Sequence, residues 1–111
     1  MRNLTLRDKK EITRLRKLFP EEITVRIHRS IDGGFCAEIL AYPGCFTEGD
    51  TFSELIEMIN DGVMTYFEIP EKYISFMPNY LASLAMAQKF GLFPVTEMKS
   101  DLKLKFTSIR E

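Results

Sequence analysis

The sequence predicts an α+β fold: an antiparallel sheet of three to four strands with helices packed on one face. Three observations carry this. Ile23 to Arg29 alternates apolar and polar residues, the period of a half-buried strand. From Phe52 to Phe67 the apolar residues recur at helical spacing on one face. A second strictly alternating run, Leu102 to Thr107, supplies a further strand far along the chain. Runs of strands followed by helices give layered α+β architectures. The 111 residues suffice for one core and are too few for two ordinary domains. Residues 1–111 are therefore expected to form a single domain.

Taken in order, the first element is a helix from Thr5 to Phe19, ending before Pro20, with Ile12, Leu15, Leu18 and Phe19 at helical spacing. Its basic residues Arg7, Lys9, Lys10, Arg14, Arg16 and Lys17 read as a solvated face, or alternatively as an arm that touches RNA or DNA. The strand from Ile23 to Arg29 turns at Asp32-Gly33-Gly34, where glycine relieves the cost of positive φ. A second strand, Phe35 to Ala41, completes a hairpin. Pro43-Gly44 marks the next turn, and Cys45 to Gly49 is a short third strand. Thr51-Phe52-Ser53-Glu54 has the form of a capping box, with hydroxyl and carboxylate each serving the other residue's backbone amide. The helix that follows carries Phe52, Leu55, Ile56, Ile59, Val63, Met64 and Phe67 on one face. Gly62 inside it suggests close approach of another backbone, or simple tolerance. Pro70 ends it, and Tyr73 to Met77 reads as an apolar connector. Pro78 can open a second helix, Asn79 to Phe90, stopped by Gly91 and apolar nearly all round. The final strand should turn Leu102, Leu104 and Phe106 inward.

Chemistry is sparse. Cys36 and Cys45 are too few for a disulfide framework, and with one histidine there is no zinc spacing, so both thiols are expected to be buried in a reducing compartment. His28 lies on the strand face opposite Ile23, Val25 and Ile27 and should point to solvent. Asp32, Glu38, Glu48 and Asp50 would have to converge to hold catalytic metals. Asp32 reads better as a turn residue and Asp50 as a helix-start residue. Gly33-Gly34 and Gly44 lack the following Lys and Ser or Thr of a phosphate loop. The formal net charge of −1 does not favour nucleic acid as the main partner. No apolar run is long enough for a signal peptide or membrane span, so a cytoplasmic location is expected, with no membrane partner. The expected activity is binding and not catalysis, with no cofactor and no metal.

The ordered motifs Ile23-Thr24-Val25-Arg26-Ile27, Asp32-Gly33-Gly34-Phe35, Tyr42-Pro43-Gly44-Cys45 and Gly49-Asp50-Thr51, followed by the helix from Phe52, resemble the HicB antitoxin domain. The resemblance covers residues 23–68, with residues 1–20 as a helical extension and residues 71–111 as a helix plus closing strand. It implies a truncated ribonuclease-H-like (HicB-like) fold without nuclease activity, and self-association as a dimer or higher oligomer. It also implies a HicA-type partner, a small mRNA-cleaving toxin that the antitoxin blocks. Asp32, Gly33, Gly34, Pro43, Gly44, Cys45, Gly49, Asp50 and Thr51 carry the resemblance and are read as fold-defining. Many HicB proteins add a DNA-binding module, a strand before two helices or a basic recognition helix; neither pattern follows the long helix here. The alternative reading is an orphan HicB-like regulator that binds nucleic acid through the basic first helix. The surplus of Phe, Met and Tyr suits either a filled core or an interface.

Overall fold

The structure is a computed structural model, described for residues 4–90 and 98–106. Helix α1 (Leu6–Arg16) leads into β1 (Glu22–Arg29), β2 (Phe35–Ile39) and β3 (Phe46–Gly49). Helix α2 (Phe52–Tyr66) follows, then a 3-10 helix (Glu71–Phe76), β4 (Tyr80–Leu81), α3 (Leu84–Phe90) and β5 (Met98–Phe106). The fold is α+β, as the alternation and the helical stripe predict. The sheet has five strands in the order β3-β2-β1-β5-β4, every neighbouring pair antiparallel.

Strand β1 is central. Its inward residues Ile23, Val25 and Ile27 are almost fully buried, and its partners contribute Phe35, Ala37, Ile39 and Leu104 to the same face. Helix α2 lays Leu55, Ile59, Val63 and Met64 on that face; Phe52, Ile56 and Phe67 are only partly covered. Ile12, Leu15 and Phe19 join one contiguous cluster with them, so the helices share one side of the sheet. Leu18, expected on the same stripe, is exposed, because the helix gives way to a turn after Arg16. The opposite side is polar: Arg26 grips Asp101 with two nitrogens (2.9 and 3.3 Å), and Lys103 lies 4.0 Å from Glu22.

The predicted helix from Asn79 to Phe90 is replaced by a strand and a shorter helix. Tyr80 is fully buried and pairs with Phe106, which holds its backbone extended. Asn60 on α2 clamps it: Tyr80 N–H donates to Asn60 Oδ1 (2.6 Å), and Asn60 Nδ2 donates to the Tyr80 carbonyl (2.9 Å). The helix starts only after Ser83, whose hydroxyl accepts from the Met86 amide (3.3 Å). One of its apolar residues, Leu84, is 74% exposed. Gly91, its expected stop, and Thr107 lie outside the described residues. The apolar connector is a 3-10 helix pinned to α1: Arg16 donates to the Phe76 carbonyl (2.8 Å) and the Tyr73 hydroxyl to Asp8 (2.7 Å).

Caps also differ from expectation. The Thr51 hydroxyl accepts from the Glu54 amide (3.0 Å), but among the described contacts the return arm from Glu54 is absent, so only half a box forms. The complete box sits on α1, where Thr5 and Asp8 satisfy each other's amides at 3.0 and 3.1 Å. Helix α2 closes on a non-glycine residue, Glu68, at φ 54°, with the Ile69 amide reaching back to the Met64 carbonyl (3.0 Å).

Candidate interaction surface

The nine residues that carry the family resemblance are local devices. Ser30 to Gly33 form the hairpin turn: the Gly33 amide donates to the Ser30 carbonyl (2.9 Å), and the Ser30 amide to the Gly34 carbonyl (2.8 Å). Gly33 sits at φ 104°, where a β-carbon is strained; Gly34 does not have positive φ. Asp32 is an exposed turn residue. Pro43 and Gly44 occupy the centre of a turn closed by the Cys45 amide on the Tyr42 carbonyl (3.0 Å). Proline followed by glycine at φ 84° is the chemistry of a type II turn. Gly49 is buried where β3 meets α2, and a β-carbon there would stand 2.8 Å from the Leu55 backbone nitrogen. Asp50 and Thr51 then start the helix. The nine lie at three separate connections, β1 to β2, β2 to β3 and β3 to α2.

The thiols are not both buried. Cys45 is half-buried, and burial pushes its thiol up from the ordinary value. Its sulfur is 3.9 Å from the Gly62 carbonyl oxygen, and a β-carbon at Gly62 would meet that sulfur at 3.4 Å. The close neighbours of Gly62 are therefore side chains and not a second backbone. Cys36 is exposed on the polar side of the sheet. There it lies in cross-strand register with His28 on one side and Glu48 on the other. His28 is half-buried and not fully exposed. A thiol between imidazole and carboxylate is the wrong order for a base oriented by an acid. Among the described residues, no group of three or more His, Cys, Asp or Glu is placed to hold a metal ion.

What the structure does bring together is charge of one sign. Between Ser30 and Glu71 the chain has nine carboxylates (Asp32, Glu38, Glu48, Asp50, Glu54, Glu57, Asp61, Glu68 and Glu71) and neither Lys nor Arg. The near-neutral total hides this segregation. Glu48 and Asp50 at β3, and Glu54, Glu57 and Asp61 on α2, are all exposed. Two open grooves run beside β3. One, of about 620 Å³, is lined by His28, Cys36, Glu48, Asp50, Glu54 and Met58 among others. The other, of about 400 Å³, lies between β3 and α2 and is lined by Pro43, Phe46, Thr47, Met58, Asp61 and Tyr66 among others. Phe46 is 69% exposed and Tyr66 51% exposed, the latter stacked on Tyr42 at 4.3 Å. The total charge and the helical stripe both missed this surface; the signal was the absence of any cation over a long interval.

A second surface is basic. Arg7, Lys10, Arg14 and Lys72 surround a groove of about 740 Å³ beside Tyr73, between α1 and the 3-10 helix. Arg14 is ion-paired with Glu11, and Arg16 is spent on the Phe76 carbonyl, so the positive face is smaller than the sequence suggests. Asp8 is held well below the usual carboxylate range, at about 2, first by the Tyr73 hydroxyl and then by the Thr5 amide and hydroxyl. Arg29 was also missed. It continues the inward phase of β1, is buried, and places its guanidinium 5.5 Å from the centre of the Phe35 ring. Among the described residues, no helix is long and apolar enough to cross a membrane.

No family model matches the chain, and no solved structure matches it. Two curated relatives do. A UPF0150 protein of Synechocystis is 38% identical over 45 residues, 40% of this chain and 57% of the relative. A UPF0150 protein of Thermoplasma acidophilum is 34% identical over 55 residues, 50% of this chain and 80% of the relative. The chain thus spans little more than half of the first relative and most of the second, and by that likeness it belongs to the UPF0150 family.

Proposed function

We propose that the chain is a non-catalytic binding protein, a HicB-like antitoxin that sequesters a HicA-type mRNA-cleaving toxin in the cytoplasm. The observation that carries this reading is the acidic, cation-free edge formed by β3 and α2. A nuclease that grips RNA presents Lys and Arg to phosphate. A surface of opposite sign steers it into contact and competes with RNA for the same groups. The β1–β2–β3 meander followed by α2 has the element order of the HicB resemblance, β5 suits its closing strand, and self-association belongs to the same reading. The test is functional. A HicA-type toxin is expressed alone and together with this chain, and growth and messenger integrity are followed. Stoichiometric protection in cells, and suppression of cleavage with purified proteins, is the expected result. Cleavage that continues at excess of this chain would end the antitoxin reading.

The groove walled by Arg7, Lys10, Arg14 and Lys72 supports a second reading, a regulator that binds nucleic acid through α1. That reading requires steep salt dependence in a mobility-shift assay, and an unshifted probe at low salt would remove it.

A further inference from the structure

We infer that the free edge of β3 is a strand-addition site for an extended segment of a basic protein. The inference rests on the binding reading above and names the surface that reading would use.

Among the described residues, strand β3 is outermost in the sheet. The Ile39 amide donates to the Cys45 carbonyl at 3.0 Å. Antiparallel partners alternate between bonded and unbonded pairs. The amide and carbonyl of Phe46 and of Glu48 therefore point away from β2, toward the open edge. Natural edge strands are usually blunted by lysine, proline or a bulge. The sequence Phe46-Thr47-Glu48-Gly49 has no lysine or proline, and its pairing with β2 runs residue by residue without a bulge. Met58 lines both grooves beside this strand, so the two adjoin there. An added strand gains affinity from backbone hydrogen bonds and specificity from side chains on alternate faces. Here one set of its side chains would stand beside Phe46 and Glu48. The other set would enter the groove toward Met58, Asp61 and Tyr66.

Charge selects the occupant. Glu48, Asp50, Glu54 and Asp61 flank the edge, with no Lys or Arg between Ser30 and Glu71. A second copy paired through the same edge would oppose these carboxylates to themselves, which is destabilising. Nucleic acid meets the same repulsion. An extended polypeptide alternating basic and apolar residues satisfies the backbone, the aromatic wall and the acids together.

The probe is the capped peptide Lys-Val-Lys-Val-Lys-Val, with Lys-Pro-Lys-Pro-Lys-Pro as a control of equal charge that lacks half the backbone donors and is biased to the polyproline II conformation. Each is titrated into the nitrogen-15-labelled full chain. The valine peptide should shift the amides of Phe46 to Gly49 and of α2 residues facing the groove, and the proline peptide should bind at least about tenfold more weakly. Glu48→Pro, which removes an outward donor, and Glu48→Lys, which reverses an exposed charge, should each cost about tenfold in valine-peptide affinity. If Glu48→Pro disturbs the fold, Glu48→Lys decides. Equal binding of both peptides, shifts located elsewhere, or no binding at millimolar peptide would overturn the inference. So would a concentration-dependent dimer abolished by Glu48→Lys, which would assign the edge to a second copy. Valine-peptide binding at the edge without toxin neutralisation would remove the antitoxin reading and leave the edge. Neutralisation unchanged in Glu48→Lys would remove the edge and leave the antitoxin.

Discussion

Replacing Asn60 by Leu removes the side chain that stands in for a neighbouring strand at Tyr80. Two hydrogen bonds are lost, at 2.6 and 2.9 Å, and Tyr80 is fully buried, so water cannot replace them without local opening. Each buried backbone group left without a partner costs about 1–3 kcal/mol, giving about 2–6 kcal/mol if nothing moves. Strand β4 has only two residues and can peel away instead. Peeling exposes the Tyr80 ring, whose burial is worth about 2–3 kcal/mol. It also breaks the bond from the Tyr80 hydroxyl to the Pro20 carbonyl, worth about 1 kcal/mol. The escape route therefore caps the loss near 3–4 kcal/mol, and about 3 kcal/mol is expected. For a chain of 111 residues this lowers Tm by about 12 °C, since unfolding entropy scales with length. Urea unfolding and calorimetry measure the loss, and hydrogen exchange at the Tyr80 amide locates it. Asn60→Asp offers an internal control: an ionised carboxylate faces the Tyr80 carbonyl with no donor, whereas a protonated one can donate. Its deficit should be smaller at pH 4 than at pH 7. An Asn60→Leu variant within about 0.5 kcal/mol of the parent would refute the clamp.

Gly33→Ala should cost about 1 kcal/mol at the strained turn position while Gly34→Ala is near neutral, a contrast that paired urea melts will read. Gly49→Ala forces a β-carbon against the Leu55 nitrogen at 2.8 Å and should cost about 1–3 kcal/mol, with amide shifts spreading into the start of α2. Ile59→Asp places a charge at a fully buried position on α2 and should leave no cooperative melt by circular dichroism; a soluble variant with parental Tm would contradict the helix face. Asp8 has a folded pKa of about 2 against an ordinary 3.8, so its contribution is complete above about 3.8 and fades as pH falls through about 2. Asp8→Asn should thus be less stable than the parent at pH 6 and lose less further stability between pH 4 and 2; parallel stability curves would refute the assignment.

Periodicity made the central layers legible. Ile23, Val25 and Ile27 alternate, and Leu55, Ile59 and Val63 recur at helical spacing; all six are buried where those patterns place them. The Pro43-Gly44 and Gly33 turns were readable because positive φ has few chemical solutions. The region after Pro70 was not, because the clamp that holds Tyr80 extended belongs to Asn60, twenty residues earlier, and local propensity carries no trace of it. The apolar stretch behind Pro78 mimics an earlier start than the one the Ser83 cap sets. The two thiols differ by strand phase: Cys36 falls on the outward phase of β2, which the alternation Phe35, Ala37, Ile39 already encodes. The acidic edge escaped because formal net charge averages over the whole chain, whereas the fold sorts the signs across the sheet, with β3 at one margin and the lysines of β5 toward the other.

The position of β1 between β2 and β5 has a consequence for how the chain assembles. One flank of β1 is satisfied by its immediate successor, with partners 6 to 14 residues away, and the other only by a segment whose partners lie 69 to 83 residues downstream. Closing that distance exacts loop entropy before any reward, so the meander and α2 should consolidate early while β1 keeps an unpaired margin. During synthesis on the ribosome that margin is a transient sticky seam at the heart of the molecule. A chaperone engaging the nascent chain, or a tangle between neighbouring polysomes, would act there and not at the outer rim.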